Sequence, residues 1–301
     1  MLLRAGRRDR RHPSLRDEES TPIGDSGPRE RALRIFRSPA RAVLFTALAV
    51  GAVVTLTPAN GAAGDIATGF VRAVRHLTEP SRNSQAFAGT AAVGALFTTS
   101  SGGQLGQHFC TASVIDSPGG DLAITAAHCM IGISGTIDFV PGYDDGAKPY
   151  QVWTVTKVYV DQEWASSSSP DDDFAFLRIS RPGSTVPIED VTGAERLDTG
   201  TPASRQLIQV IGYPSSSNQP VTCRNWLKEP MADQLEFDCG GYTSGTSGGP
   251  FLSDVDQATG QGMVIGIIGG YEQGGLMPQI SYSAMLGAKA AALYKTAIAD
   301  G

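Results

Sequence analysis

The sequence predicts an all-β protein built in two units and finished by one C-terminal helix. Three observations lead there. Beyond residue 91, short runs rich in β-branched and aromatic residues recur at close spacing, punctuated by Gly, Pro, Asp and Ser. No helical pattern separates them, so the strand–helix alternation that marks a parallel sheet is missing. A loop-rich stretch, "RPGSTVPIEDVTGAERLDTGTPAS" (181–204), divides the runs into two sets.

The N-terminal 63 residues stand apart as a basic tail followed by a signal peptide or anchor. The first 41 residues carry eleven arginines against six acids, a balance of +5. An uncharged apolar run, Ala42 to Thr57, follows, and then Pro58 and small residues. Basic flank, apolar run and small-residue exit are the three parts of a secretory signal, with cleavage expected near Ala63. Membrane attachment is expected only if this segment is retained, because the run is shorter than the roughly 20 residues that span a bilayer. Residues 64–90 are expected to form a connector or pro-segment, with a weak helical pattern around Phe70–Leu77.

Residues 91–190 form the first β unit. Its strands are expected at "AAVGALFTT", "HFCTASVID", "LAITAAH", "GTIDFVP", "YQVWTVTKVYV" and "DFAFLRI". Residues 191–301 form the second, with strands at "LIQVIGYP", "QLEFDC", "GPFLSD", "GMVIGIIGG" and "MPQISYS". The tail "SAMLGAKAAALYKTAIA" is rich in helix formers, with Leu286, Ala290, Leu293 and Ala297 on one stripe. Ser283 is the expected N-cap, and the helix is expected to dock on the second unit.

Charge excludes one class of partner. Everything after residue 41 carries 13 basic and 24 acidic side chains, a balance of −11, which offers no basic face to nucleic acid. The four cysteines, Cys110, Cys129, Cys223 and Cys239, allow three pairings. None are spaced C-x-x-C, so neither a metal site nor a redox motif is expected, and export makes disulfides the default. Local pairing, Cys110 with Cys129 and Cys223 with Cys239, would close two loops of under twenty residues. Each would stabilise by about 3 kcal/mol through the unfolded chain's lost entropy.

Chemistry concentrates in "CGGYTSGTSGGPF" (239–251), where Ser247 sits among glycines. A serine nucleophile needs backbone N–H groups for the oxyanion of a tetrahedral intermediate, and glycines let those groups approach a reacting carbonyl. The N–H groups of Gly245 and Ser247 are the candidates. A serine also needs a base. Of the four histidines, His12 and His76 precede the β units, and His108 has no comparable setting. His128, in "ITAAHC", ends an apolar strand beside a cysteine. An acid must orient the imidazole, and "PDDDFAFL" (170–177) offers three at the start of a strand. The chain order His, acid, Ser rules out the α/β-hydrolase elbow, whose histidine follows its serine.

On these residues the chain resembles the chymotrypsin-like (trypsin-type) serine peptidases. "TAAHC" and "GTSGGP" match two signature boxes of that family, and "DFAFL" resembles its third, singling out Asp173. The resemblance covers about residues 91–297. It implies two six-stranded antiparallel β-barrels with the active site between them, His128 and Asp173 from the first and Ser247 from the second. It also implies a Cys110–Cys129 bridge and an endopeptidase acting on proteins or peptides; with the signal-like segment, the expectation is a secreted enzyme, a monomer without a cofactor. Departures are informative. Thr246 stands where animal digestive members carry an aspartate that pairs with a freed N-terminus, so the loop needs other support. Thr246 and "IGYP" (211–214) are closer in style to the bacterial V8-like, glutamyl-endopeptidase branch. Yet Ile268 replaces the histidine with which that branch reads glutamate, and Gly241 replaces trypsin's acid. A pocket of Gly241, Tyr242, Ile268, Gly269, Gly270 and Tyr271 is expected to take a medium apolar residue. A catalytically silent binding module of the same fold and an esterase using the same triad are the alternatives.

Overall fold

A computed structural model describes residues 79–228 and 231–300. The signal or anchor region, His12, His76 and residues 64–78 of the connector lie outside the described residues. No helix among the described residues is long and apolar enough to cross a membrane.

The described chain starts with a short strand, β1 (Gln85–Ala86). The first unit follows as β2 (Val93–Thr99), β3 (Leu105–Ile115), β4 (Leu122–Thr125), β5 (Thr136–Pro141), β6 (Trp153–Val160) and β7 (Ala175–Ser180). These close into an antiparallel barrel in the order β2-β3-β4-β7-β6-β5. Closure removes sheet edges and leaves an interior that side chains must fill. Leu96, Ile124, Phe139, Trp153 and Leu177, each at most 1% exposed, belong to the core that fills it. A short helix, α1 (Gln162–Ser167), is capped by the Asp161 carboxylate, which accepts from the Glu163 N–H at 2.8 Å.

A one-turn helix, α2 (Glu189–Thr192), leads into the second unit. Its strands are β8 (Arg196–Leu197), β9 (Leu207–Gly212), β10 (Val221–Trp226), β11 (Gln234–Asp238), β12 (Pro250–Ser253), β13 (Met263–Ile267) and β14 (Ile280–Ala284). They form a six-stranded sheet, β1-β10-β9-β12-β13-β8, and a two-stranded ribbon, β11-β14. The described second unit is thus two packed sheets, and β8 joins β13 in parallel. Val210, Leu235, Phe237, Phe251 and Ile265 form its core, and burying one such side chain contributes about 1.5–3 kcal/mol. Both local disulfides are formed, Cys110–Cys129 and Cys223–Cys239.

Part of the segment read as a connector is built into this second sheet. β1 pairs with β10, the Ser81 N–H donates to the Arg224 carbonyl, and the Ser84 N–H to the Gly240 carbonyl. At the joint between the units, the Glu195 N–H donates to the Val114 carbonyl at 2.9 Å, and the Asp116 N–H to the Glu195 carbonyl at 2.9 Å. The Glu195 carboxylate is wholly buried and accepts from the Gly262 N–H at 2.5 Å.

The terminal helix, α3 (Ala288–Ala299), corrects two expectations. Ser283 does not cap it. Ser283 lies in β14, where its hydroxyl accepts from the Ile267 N–H and donates to the Ala284 carbonyl. Nor does the helix dock on the second unit. It crosses the chain to cover the first barrel. The Phe176 ring packs on Tyr294, and Arg178, two residues along the same face of β7, donates to the Ala297 carbonyl. This explains the nearly unbroken apolar run of β7, a strand covered on both faces.

Candidate active site

His128 sits in a 3-10 turn, Ala127–Met130, directly after β4, and its neighbour Cys129 ties that turn to Cys110 on β3. The two sulfurs are bonded to each other and offer no thiolate to a metal. Asp173 follows a second 3-10 turn, Pro170–Asp172, at the entrance to β7, and is 0% exposed. Its Oδ2 lies 2.7 Å from His128 Nδ1, and its Oδ1 accepts from the His128 backbone N–H at 2.8 Å. A carboxylate only accepts, so Nδ1 carries the hydrogen of this bond, and in the neutral ring the free lone pair is on Nε2. The Gly270 N–H adds a donor to Oδ2 at 2.8 Å. This double grip fixes both the position and the tautomer of the ring.

The loop carrying Ser247 joins β11 to β12. Gly248 has φ +80°, and a Cβ there would lie 2.2 Å from the Thr111 carbonyl oxygen, so no other residue fits. Gly245, at φ +96°, is equally constrained by Ser215 and Tyr213. Among the described residues, neither the Gly245 nor the Ser247 N–H donates a hydrogen bond within the chain, while their neighbours Thr246, Gly248 and Gly249 all do.

The support demanded by Thr246 comes from threonines. Thr246, 2% exposed, donates from its hydroxyl to the Thr243 carbonyl at 2.7 Å and packs on Gly212. Thr111 on β3 fastens the loop to the other unit. Its N–H donates to the Ser247 carbonyl at 2.7 Å, and its hydroxyl donates to the Gly245 carbonyl at 3.0 Å while accepting from the Tyr213 N–H. Thr125 in turn donates to the Thr111 carbonyl at 2.7 Å. Neutral hydrogen bonds thus do what an ion pair does in the digestive members.

His128 and Ser247 line one cleft of about 380 Å³. Of the six residues expected for the pocket, Tyr242 and Ile268 line this cleft. Gly241, Gly269, Gly270 and Tyr271 do not. Gly241 lies against Ser84, Gly269 against Asp173, and Tyr271 stacks edge-on to Tyr282. The remaining wall comes from Thr243, Ser244, Thr246, Pro278, Ser281 and the turn 272–276, which includes Glu272 and Gln273. Glu272 is the one carboxylate among the described lining residues. Both Glu272 and Gln273 have left-handed backbones, a geometry no sequence pattern here announces. Tyr242 points its hydroxyl away, to the Val210 carbonyl at 2.7 Å, and burial holds that phenol well above its ordinary pKa.

His108 lies elsewhere, among Phe97, Tyr143 and Tyr213, with Nε2 3.0 Å from the Ser217 carbonyl. Burial lowers its pKa, and because a carbonyl can only accept, Nε2 carries the hydrogen in that bond. The two acids before Asp173 both have partners. Asp172 is 0% exposed and lies 2.8 Å from the Lys289 ammonium of α3, whose pKa is raised by hydrogen bonds to Asp172 and Glu163. Asp171 accepts from Gln234.

Comparison with known proteins decides the family. The trypsin family model matches residues 83–280, about two thirds of the chain. The chain belongs to the trypsin family. Among solved structures, this trypsin-family chain is similar to protease Anisep from Arthrobacter nicotinovorans, with a TM-score of 0.59 at 23% identity, covering 72% of this chain and 99% of that one. It is also similar to the thermostable serine protease AL20 from an extremophilic microorganism, with a TM-score of 0.59 at 20% identity, covering 70% and 99%. A Glu endopeptidase gives 0.56 at 16% identity, covering 74% and 99%. No curated protein matches significantly in sequence. At these identities the structures report the fold, and the family assignment makes this trypsin-family protein a serine peptidase.

Proposed function

We propose that the protein is an exported endopeptidase in which Ser247 is the nucleophile, His128 the general base and Asp173 the orienting acid. One observation carries the reading: an imidazole held at Nδ1 by a buried carboxylate at 2.7 Å lines the same cleft as Ser247. Nε2 of His128 takes the Ser247 proton as Oγ attacks the scissile carbonyl. The carbonyl oxygen becomes an oxyanion, for which the Gly245 and Ser247 N–H groups are the donors; losing one such donor costs about 10²–10³ in rate. The tetrahedral intermediate collapses as the imidazolium gives its proton to the leaving amine, and the amine departs. Water, deprotonated by His128, then attacks the acyl-enzyme and releases the carboxylic acid, restoring the serine. Export is supported by the Arg-flanked apolar run and by two disulfides, which persist in oxidising compartments.

Incubation of the purified protein with a fluorophosphonate probe tests the assignment. Labelling of wild type and none of Ser247→Ala is expected, with peptide hydrolysis falling about 10⁶-fold. Labelling that persists in Ser247→Ala would overturn it, and a folded wild type that resists the probe would favour a binding module. Matched ester and amide substrates separate a peptidase from an esterase.

A further inference from the structure

Gln234, the first residue of β11, is 8% exposed and lies outside both the sequence motifs and the cleft. Its carboxamide joins two segments that meet at Asp173. Nε2 donates to Asp171 Oδ1 at 2.6 Å and to the Pro170 carbonyl at 3.3 Å, both in the turn that delivers Asp173. Oε1 accepts from the Tyr271 N–H at 2.9 Å. Tyr271 directly follows Gly270, whose own N–H holds Asp173 Oδ2. The side chain presses so closely on this segment that a Cβ at Gly270 would lie 2.3 Å from Gln234 Oε1. The partners fix which way the amide points, because a carboxylate and a carbonyl can only accept and an N–H can only donate. No other side chain of this length supplies both roles.

We propose that Gln234 is a positioning residue for the reaction. It holds the turn before Asp173 and the Gly270–Tyr271 segment in one register, so that Asp173 meets His128 Nδ1 and the cleft wall beginning at Glu272 stays in place. The proposal rests on the triad reading given above. A side chain that spans two loops couples two quantities that a purely local prop would not, the orientation of the imidazole and the shape of the substrate wall.

The test compares wild type with Gln234→Glu, Gln234→Leu and the double variant Gln234→Glu/Asp171→Asn, all normalised to sites titrated with the fluorophosphonate. Gln234→Glu sets two carboxylates against each other, and Gln234→Leu removes every bond. Each is expected to lower kcat by about 10-fold to 100-fold, the scale of a remote misplacement of about 1 Å. KM is expected to rise with it, and the low-field proton signal of the His128–Asp173 hydrogen bond to shift or broaden. The double variant reverses donor and acceptor between residues 234 and 171 while Tyr271 keeps its acceptor; it leaves the longer Pro170 contact unmade and should recover part of the kcat loss, a non-additivity expected of groups in contact. Because buried substitutions at Gln234 can prevent folding, Asp171→Ala at an exposed site serves as a second probe, with a several-fold fall in kcat expected. Single variants that keep wild-type kcat and an unchanged low-field signal would overturn the proposal, as would an inactive double variant that is folded. A wild type that fails to label indicts the triad reading instead, so the two failures are distinguishable.

Discussion

Glu195 should make the folded protein less stable as pH rises from 5 to 7, and Gln at that position should abolish the effect. The carboxyl is fully buried between the two units, with Oε2 accepting from the Gly262 N–H and Oε1 without a partner among the described residues. Burial pushes its pKa from an ordinary 4.5 up to about 7, the Gly262 hydrogen bond opposing only in part. The folded state therefore holds a proton that the unfolded chain has released, and stability falls with pH across that window. From 4.5 to about 7, at 1.36 kcal/mol for each pH unit, the loss amounts to about 3 kcal/mol. Below pH 4.5 the contribution is complete, and above pH 7 it is gone. Glu195→Gln keeps an oxygen for Gly262 and has no proton to lose. Urea unfolding at pH 5, 6, 7 and 8, followed by tryptophan fluorescence in a Ser247→Ala background to prevent self-digestion, reads the difference directly. The variant should gain on the wild type by about 1.4 kcal/mol per pH unit and then level off near pH 7. Parallel curves for the two proteins over this range would refute the reasoning.

Three further outcomes are expected. Thr111→Val strands the Gly245 carbonyl and the Tyr213 N–H, both buried, at roughly 1–3 kcal/mol each; denaturant titration should show that loss, and turnover should fall with the loosened serine loop. Replacing Cys223 and Cys239 together by serine removes about 3 kcal/mol, read by calorimetry as a Tm roughly 6–12 °C lower. Glu272→Lys reverses the sign of the one carboxylate among the described cleft-lining residues. In a peptide-library profile it should raise kcat/KM for substrates with an acidic side chain near the scissile bond by about tenfold relative to basic ones, the scale of one surface-to-cleft charge interaction.

The fold class and the His–Asp pairing were legible because each depends on local signals. Apolar runs bounded by turn residues mark most of the strands, and the motifs around His128, Asp173 and Ser247 are short and complete. β10 escaped notice because "VTCRNW" mixes apolar, polar and charged residues, and its pairing with β9 and β1 decides its conformation. The terminal helix was legible as a helix but not in its address, since its contacts with Phe176 and Arg178 join residues more than a hundred positions apart. The same distance hid the burial of Asp172, whose partner is Lys289. Gln234 and Thr111 sit in ordinary strand patterns and become meaningful only where loops from elsewhere in the chain converge on them. The pocket was the least legible part, because the left-handed turn at Glu272 and Gln273 redirects the wall away from Gly269, Gly270 and Tyr271.

The helix α3 has a consequence for assembly. It follows every described strand in the chain, yet it is the lid of the barrel that holds His128 and Asp173. Ala290 and Ala297 are sealed into that barrel's core, and Tyr159 and Lys157 reach Asp300 just past the helix. A chain in which α3 has not yet docked leaves Phe176 and Arg178 of β7 facing water and the first barrel uncovered. Closure of the first barrel therefore waits on a segment that the chain supplies only after the strands of both units.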